Sequence, residues 1–181
     1  MPEGAHYPLT QLENISLQKY LSAPIEAEDN VQLHLVPPDT VPPPISPKVV
    51  REGSDVTIVA VGDMLKNALM AAEVLSENGI SAEVIDLRVI KPLKMELIIK
   101  SLQKTSKIVT IENNITTGGA GERILCELLE SSIDGNFKSK ILALPNEIIP
   151  QMPVDRIFEN YVLDVSGIAQ AVTSILNSHE T

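Results

Sequence analysis

Aromatic side chains are scarce in this chain, at 3% of 181 residues with no tryptophan. A core of ordinary density must therefore be assembled from Val, Ile, Leu and Ala. The one cysteine, Cys126, excludes an internal disulfide and a metal centre built on cysteine alone. Its position among Ile124, Leu125, Leu128 and Leu129 predicts a buried, inert thiol. Histidine is confined to His6, His34 and His179, far from any strand end in the patterned part of the chain, so no imidazole is placed for proton transfer. Basic residues are outnumbered, 14 Lys and Arg against 24 Asp and Glu, giving a formal charge of −10. That balance argues against a nucleic-acid partner and for a freely diffusing protein. No apolar run approaches the ~20 residues needed to span a bilayer. The N-terminal MPEGAHYPLTQLE lacks a basic-then-apolar leader pattern, so the expected location is cytoplasmic, with no membrane partner.

Lys107–Glu130, KIVTIENNITTGGAGERILCELLE, carries the most information. Ile108, Val109 and Ile111 predict a buried strand, followed by Glu112-Asn113-Asn114 and a loop closing on Gly118-Gly119-Ala120-Gly121. Ile124, Leu125, Leu128 and Leu129 then recur at helical spacing. A strand that ends in polar residues and enters a helix through glycines is half of a strand–helix–strand unit in a parallel sheet.

The flanking sequence repeats that unit. Six of the thirteen prolines fall in PPDTVPPPISP, between Pro37 and Pro47, which favours extended polyproline geometry. Residues 1–47 therefore read as a tail or linker. Within it Leu12, Ile15 and Leu17 suggest a short helix ending near Pro24, and Val31–Val36 a short strand. From 48 to 181 a domain follows. Lys48–Arg51 predicts a short strand, and VTIVAV (Val56–Val61) a strand covered on both faces. Asp63 is the expected cap of a helix striped by Leu65, Ala68, Leu69, Ala72 and Leu75. Ala82–Leu87 is the next strand. Pro92 suits a first helical turn ahead of Met95, Ile98, Ile99 and Leu102. After the central unit come a turn at Asp134-Gly135-Asn136, a strand over Lys140–Leu144, and a short helix from Pro153 through Tyr161. A last helix carries Ile168, Ala171, Val172 and Ile175. Alternation at this pace predicts a three-layer α/β/α sandwich with a mostly parallel sheet.

The segments REGSDVTIVAVGDML, EVIDLRVIKPL, IVTIENNITTGGAGERI and LDVSGIAQAV resemble the C-terminal domain of the transketolase superfamily, most closely that of 1-deoxy-D-xylulose-5-phosphate synthase. The LPNEIIPQ segment after the last strand resembles that synthase too. The beta subunits of 2-oxo acid dehydrogenases share the first half nearly as well. The resemblance spans roughly residues 47–178. It implies a five-stranded sheet whose short first strand runs antiparallel to the other four. Lys94, Asn113 and Asn146 depart from the family pattern, which has acidic residues at those places.

The resemblance also implies what the chain lacks. Family members hold thiamine diphosphate and Mg on a first domain with a GDG…NN signature, and activate the thiamine ring from a second. Gly62-Asp63-Met64 lacks the second glycine, and Asn113-Asn114 follows a strand of the wrong domain. The chain is thus expected to bind no cofactor and no metal and to turn over no substrate alone. Its expected role is the third domain of a thiamine diphosphate enzyme of dimeric assembly. The partner would be a chain carrying the thiamine-binding domains, or a second copy. The alternatives are the same domain of a pyruvate dehydrogenase beta subunit or of a transketolase, or a stand-alone binding module that lost the enzyme.

No catalytic residue is assigned. Asp63, Arg88, Glu112, Asn114 and Asn146 should follow parallel strands and gather at the carboxyl edge of the sheet, where open α/β folds place ligands. Thr117, Gly118, Gly119 and Gly121 complete this candidate interface or ligand edge. Two readings stand: contact with missing domains or a small molecule, or loop capping with an Arg88–Glu112 ion pair. For the glycine loop, close helix packing is favoured over anion binding. It lacks the Lys-Ser/Thr ending of a phosphate loop, and Glu122 already supplies negative charge to the helix N-terminus.

Overall fold

The computed structural model describes residues 45–131 and 137–177; the readings made for residues 1–44, for the Asp134–Asn136 turn and for the three histidines lie outside them. Five strands form one sheet: β1 Lys48–Arg51, β2 Val56–Ala60, β3 Ala82–Asp86, β4 Lys107–Ile115 and β5 Lys138–Leu144. Their order is β1-β3-β2-β4-β5, with β1 antiparallel to β3 and every other pairing parallel. Among the described residues five helices accompany them: α1 Met64–Glu77, α2 Glu96–Thr105, α3 Ala120–Glu130, α4 Val154–Asn160 and α5 Val165–Asn177.

The alternation along β2 sets the layers. Val56, Ile58 and Ala60 join a core with Ala68, Ala71, Ala72 and Leu75 of α1 and Ile168, Ala171, Val172 and Ile175 of α5. Val59 faces the other way, into a core with Ile98 and Leu102 of α2 and Ile124 and Leu128 of α3. Successive strand side chains point to opposite faces, so a run buried at every position is covered twice. The cores are aliphatic, as the lack of aromatics requires; each fully buried Leu or Ile contributes about 1.5–3 kcal/mol.

The structure corrects several local expectations. Helix α2 starts at Glu96, and Pro92 lies in the bend before it, joined to Lys91 by a cis peptide bond. Lys94 lies just before the helix; its Nζ donates to Ile45 O at 3.1 Å and Ser46 Oγ at 3.0 Å, while Glu96 occupies the first turn. Strand β4 extends to Ile115, so Glu112, Asn113 and Asn114 lie within it, beyond the regular pairing with β5. Leu129 faces solvent, because one side of α3 already fills its core with Ile124 and Leu128. Cys126 is likewise exposed, not buried; its helical phase puts it on the outer face.

Candidate functional site

The parallel strands deliver their polar ends to one edge. Glu112, the only carboxylate held deep there among the described residues, is 2% exposed. Its Oε2 accepts from the Ala120 amide at 2.9 Å and its Oε1 from the Gly121 amide at 2.8 Å. These are first-turn amides of α3 with no acceptor inside the helix. A carboxylate there satisfies the donors and meets the positive end of the helix dipole. At the same turn, Glu122 Oε2 accepts from the Gly118 amide at 2.5 Å.

This arrangement explains the glycines. A Cβ on Gly119 would lie 2.5 Å from Glu112 Oε1, and one on Gly121 would lie 2.4 Å from Thr110 Oγ1 and 3.0 Å from Ile141 Cγ2. Glycine is required because β4, β5 and a buried carboxylate crowd the helix start. The packing reading of this loop is the one the geometry supports, and the chain supplies its own anion. Thr110 Oγ1 is buried and without a hydrogen-bond partner, pressed against that contact.

The Arg88–Glu112 ion pair of the capping reading does not form. Arg88 Nε pairs with Asp86 Oδ2 at 3.2 Å, and Arg88 itself holds φ +59. Asp63 caps nothing with its side chain; its Oδ2 accepts from Asn113 Nδ2 at 3.0 Å, joining the ends of β2 and β4. Asn113, read only as a departure from the family pattern, is thus the residue that ties two strand ends together. Asn114, Thr117, Gly118 and Asn146 are exposed. Asn67 Nδ2 of α1 donates to Leu163 O at 3.0 Å, and Tyr161 OH to Glu147 at 3.4 Å, so the segment after β5 belongs to the same edge. Sequence reasoning missed Tyr161 and Asn67, since each acts through a tertiary contact.

These groups do not suit a diphosphate. The α3 amides that would receive one hold Glu112, the Gly118 amide just before them holds Glu122, and a second anion would meet two carboxylates. Along the outer face of α3 runs an open groove of about 420 Å³ lined by Glu122, Arg123, Cys126, Glu127 and Glu130. Its acids argue against an anionic ligand there too. Among the described residues no cluster of His, Cys, Asp and Glu has the makings of a metal site, and no helix is long and apolar enough to cross a membrane.

A second polar cluster lies at the amino edge. Glu83, side chain 3% exposed, contacts Lys104 Nζ and Ser101 Oγ. Thr57 Oγ1 lies 2.5 Å from Ser101 Oγ and 2.8 Å from Thr105 Oγ1, and Glu52 stands 3.6 Å from Lys104. Burial works against the charged form of Glu83, but the hydrogen bonds from Lys104 and Ser101 outweigh it and hold its pKa below the usual 4.5. The hydrogen bond to Glu83 raises the Lys104 pKa above its usual 10.5. A cavity of about 170 Å³ adjoins the cluster. No residue here was singled out by the sequence; a Glu inside an otherwise apolar strand was the available signal.

Residues 45–168 match the family described as Transketolase, C-terminal domain. The 1-deoxy-D-xylulose-5-phosphate synthase of Desulfotalea psychrophila is 38% identical over 129 residues, which is 71% of this chain and 20% of that protein. The mitochondrial pyruvate dehydrogenase E1 component subunit beta of Dictyostelium discoideum is 47% identical over 87 residues, 48% of this chain and 24% of that protein. A solved structure described as a split gene transketolase, inactive beta4 tetramer, superposes with a TM-score of 0.66 at 32% identity, covering 72% of this chain and 42% of that one. The chain thus spans about a fifth of the synthases it matches.

Proposed function

Because the chain belongs to the transketolase C-terminal domain family, we propose that it acts as the third domain of a thiamine diphosphate-dependent, transketolase-type enzyme, most like 1-deoxy-D-xylulose-5-phosphate synthase. The cofactor and its Mg would sit on the other domains, in a partner chain or in a longer polypeptide. This domain would contribute assembly contacts through the carboxyl-edge loops around Arg88, Glu112–Thr117 and Asn146. The observation that carries the reading is Glu112: the helix start, where free amides would attract a phosphate, is closed by the chain's own carboxylate. The polar edge is left for contact rather than for chemistry.

Two matches bear on the form of the assembly. A transketolase divided between genes exists among the structural relatives, which supports a division between chains here. The higher identity over 87 residues to a pyruvate dehydrogenase beta subunit favours a second reading, the same domain in a 2-oxo acid dehydrogenase. Both readings require other domains. Mixing the purified chain with a candidate polypeptide bearing the first two domains is the test. Stable co-elution and transfer of the two-carbon unit of pyruvate to an aldose phosphate, with release of CO2, support the synthase reading. Decarboxylation of pyruvate without transfer supports the second. Absence of both complex and activity counts against the two alike.

A further inference from the structure

The buried carboxylate at the amino edge takes no part in the proposed assembly, and the local pattern does not call for it. In β3, Ala82 and Val84 face the core shared with α1 and α5, while Ile85 faces the one shared with α2 and α3. Glu83 therefore points to the α2 side, where alternation asks for another isoleucine or valine. A buried ion pair is seldom more stabilising than apolar side chains of the same volume. Stability alone does not account for Glu83 and Lys104.

The cavity of about 170 Å³ beside the pair offers another account. Helix α2 packs over β2 and β4, and β3 and β1 lie beyond β2 in the sheet. The space left between α2 and β1 has apolar walls, Val49 and Leu97, and a polar lining of Glu83, Lys104, Ser101, Glu52 and Lys100. At its floor the charges are already matched, with Glu83 holding both Lys104 and Ser101. The rim differs. Lys100 is exposed and has no carboxylate partner among the described residues. The Glu52 side chain is 82% exposed and reaches Lys104 only at 3.6 Å. One cation and one anion thus stand loosely engaged at the mouth of a small, partly apolar cavity.

From this lining we infer a binding site for a small apolar α-amino acid, taken up as the zwitterion. The ligand carboxylate lies against Lys100, its ammonium against Glu52, and its side chain over Val49 and Leu97. Two carboxylates and two ammonium groups surround the space, so a phosphate, a dicarboxylate or a diamine meets as much repulsion as attraction. A molecule with one charge of each sign finds a charge-assisted partner for both. The volume is well below that of a drug-sized pocket and admits only a small ligand. Glu83 acts as a positioning residue, fixing Lys104 and Ser101 before the ligand arrives. The site lies at the opposite edge from the assembly loops and does not depend on them.

A two-dimensional NMR titration of the full chain with L-valine tests this, with isovalerate and isobutylamine as probes that each keep one of the two charges. L-valine is expected to bind with sub-millimolar affinity, within the range open to a ligand of about eight heavy atoms. It should shift the amide signals of Val49, Glu52, Leu97 and Ser101 and leave those of Glu112–Gly121 unmoved. Each single-charge probe should bind at least roughly tenfold more weakly. Lys100→Gln and Glu52→Gln, both at exposed positions where folding is not at stake, should each weaken L-valine by about the same factor. L-valine that shifts none of these signals at tens of millimolar would overturn the inference. So would a single-charge probe as tight as L-valine, or binding indifferent to both variants.

Discussion

Glu112 spans the start of α3, its two carboxylate oxygens 2.9 and 2.8 Å from the amides of Ala120 and Gly121. One side chain near the end of β4 thereby ties that strand to the start of the helix and closes the anion position of the edge. Glu112→Ala leaves two buried amides without acceptors, at about 1–3 kcal/mol each. A loss of about 2–4 kcal/mol in urea unfolding is expected, with Glu112→Gln intermediate because it keeps one acceptor. A loss below about 0.5 kcal/mol for Glu112→Ala would mean that water or another group takes over the cap.

The same contact predicts a coupling. Ala is favoured over Gly in a helix by about 1 kcal/mol, yet a Cβ at Gly121 would lie 2.4 Å from Thr110 Oγ1. Gly121→Ala should therefore destabilise the chain. Thr110→Ala removes the obstructing atom, a buried hydroxyl without a partner, and should recover a good part of the loss. The double-mutant cycle is expected to show a coupling of about 1 kcal/mol or more, within the usual range for residues in contact. Additive effects would place the strain elsewhere, against Ile141 or Glu112.

Glu83 and Lys104 give a pH signature. Glu83 has a folded pKa below 4.5, so its contribution is present above the unfolded value and is lost as pH falls through the folded one. Lys104 has a raised pKa, so its contribution is present below the unfolded value and is lost as pH rises through the folded one. Between about pH 5 and 10 the pair should add no slope. Glu83→Gln should flatten the acid limb of stability below about pH 4.5. Lys104→Met should cost about 1–3 kcal/mol at neutral pH, less than the ~3–5 for breaking a fully buried pair, because Lys104 is half in solvent. Guanidinium unfolding across pH reads both; an unchanged acid limb in Glu83→Gln would remove Glu83 from the account.

The sandwich was readable because both periods are strong. Val56–Ala60 is buried at every position and apolar at all but Thr57, and the stripes through Ala68–Leu75 and Ile168–Ile175 repeat at helical spacing. The candidate edge was readable only as a place. That Asp63, Arg88, Glu112 and Asn114 stand at the carboxyl ends of parallel strands comes from topology, whereas their partners come from side-chain geometry. Arg88 chose Asp86, two residues away, over Glu112. The Ala120 and Gly121 amides, invisible to any count of charges, took Glu112 instead. Cys126 shows the limit of periodicity: a helix covered on one side has neighbours of a buried residue that face water, and a phase error of one position decides which.

Val162 offers a different contrast. A valine at φ +64 carries strain of about 1–2 kcal/mol that asparagine largely escapes. Val162→Asn should raise the unfolding midpoint of the isolated chain, by an amount equivalent to about 0.5–1 kcal/mol. If the valine is held for contact, the same variant should also weaken association. A variant less stable than wild type would show that Val162 is held by packing within the chain.

The central claim is that this chain supplies one domain to a thiamine diphosphate enzyme and binds none of the cofactor itself. Calorimetric titration of thiamine diphosphate with Mg²⁺ tests it most directly. The cofactor is titrated into the purified chain, then into an equimolar mixture with a chain bearing the other two domains. The account predicts no binding to the chain alone and micromolar binding, accompanied by activity, in the mixture. Micromolar binding to this chain alone would contradict it.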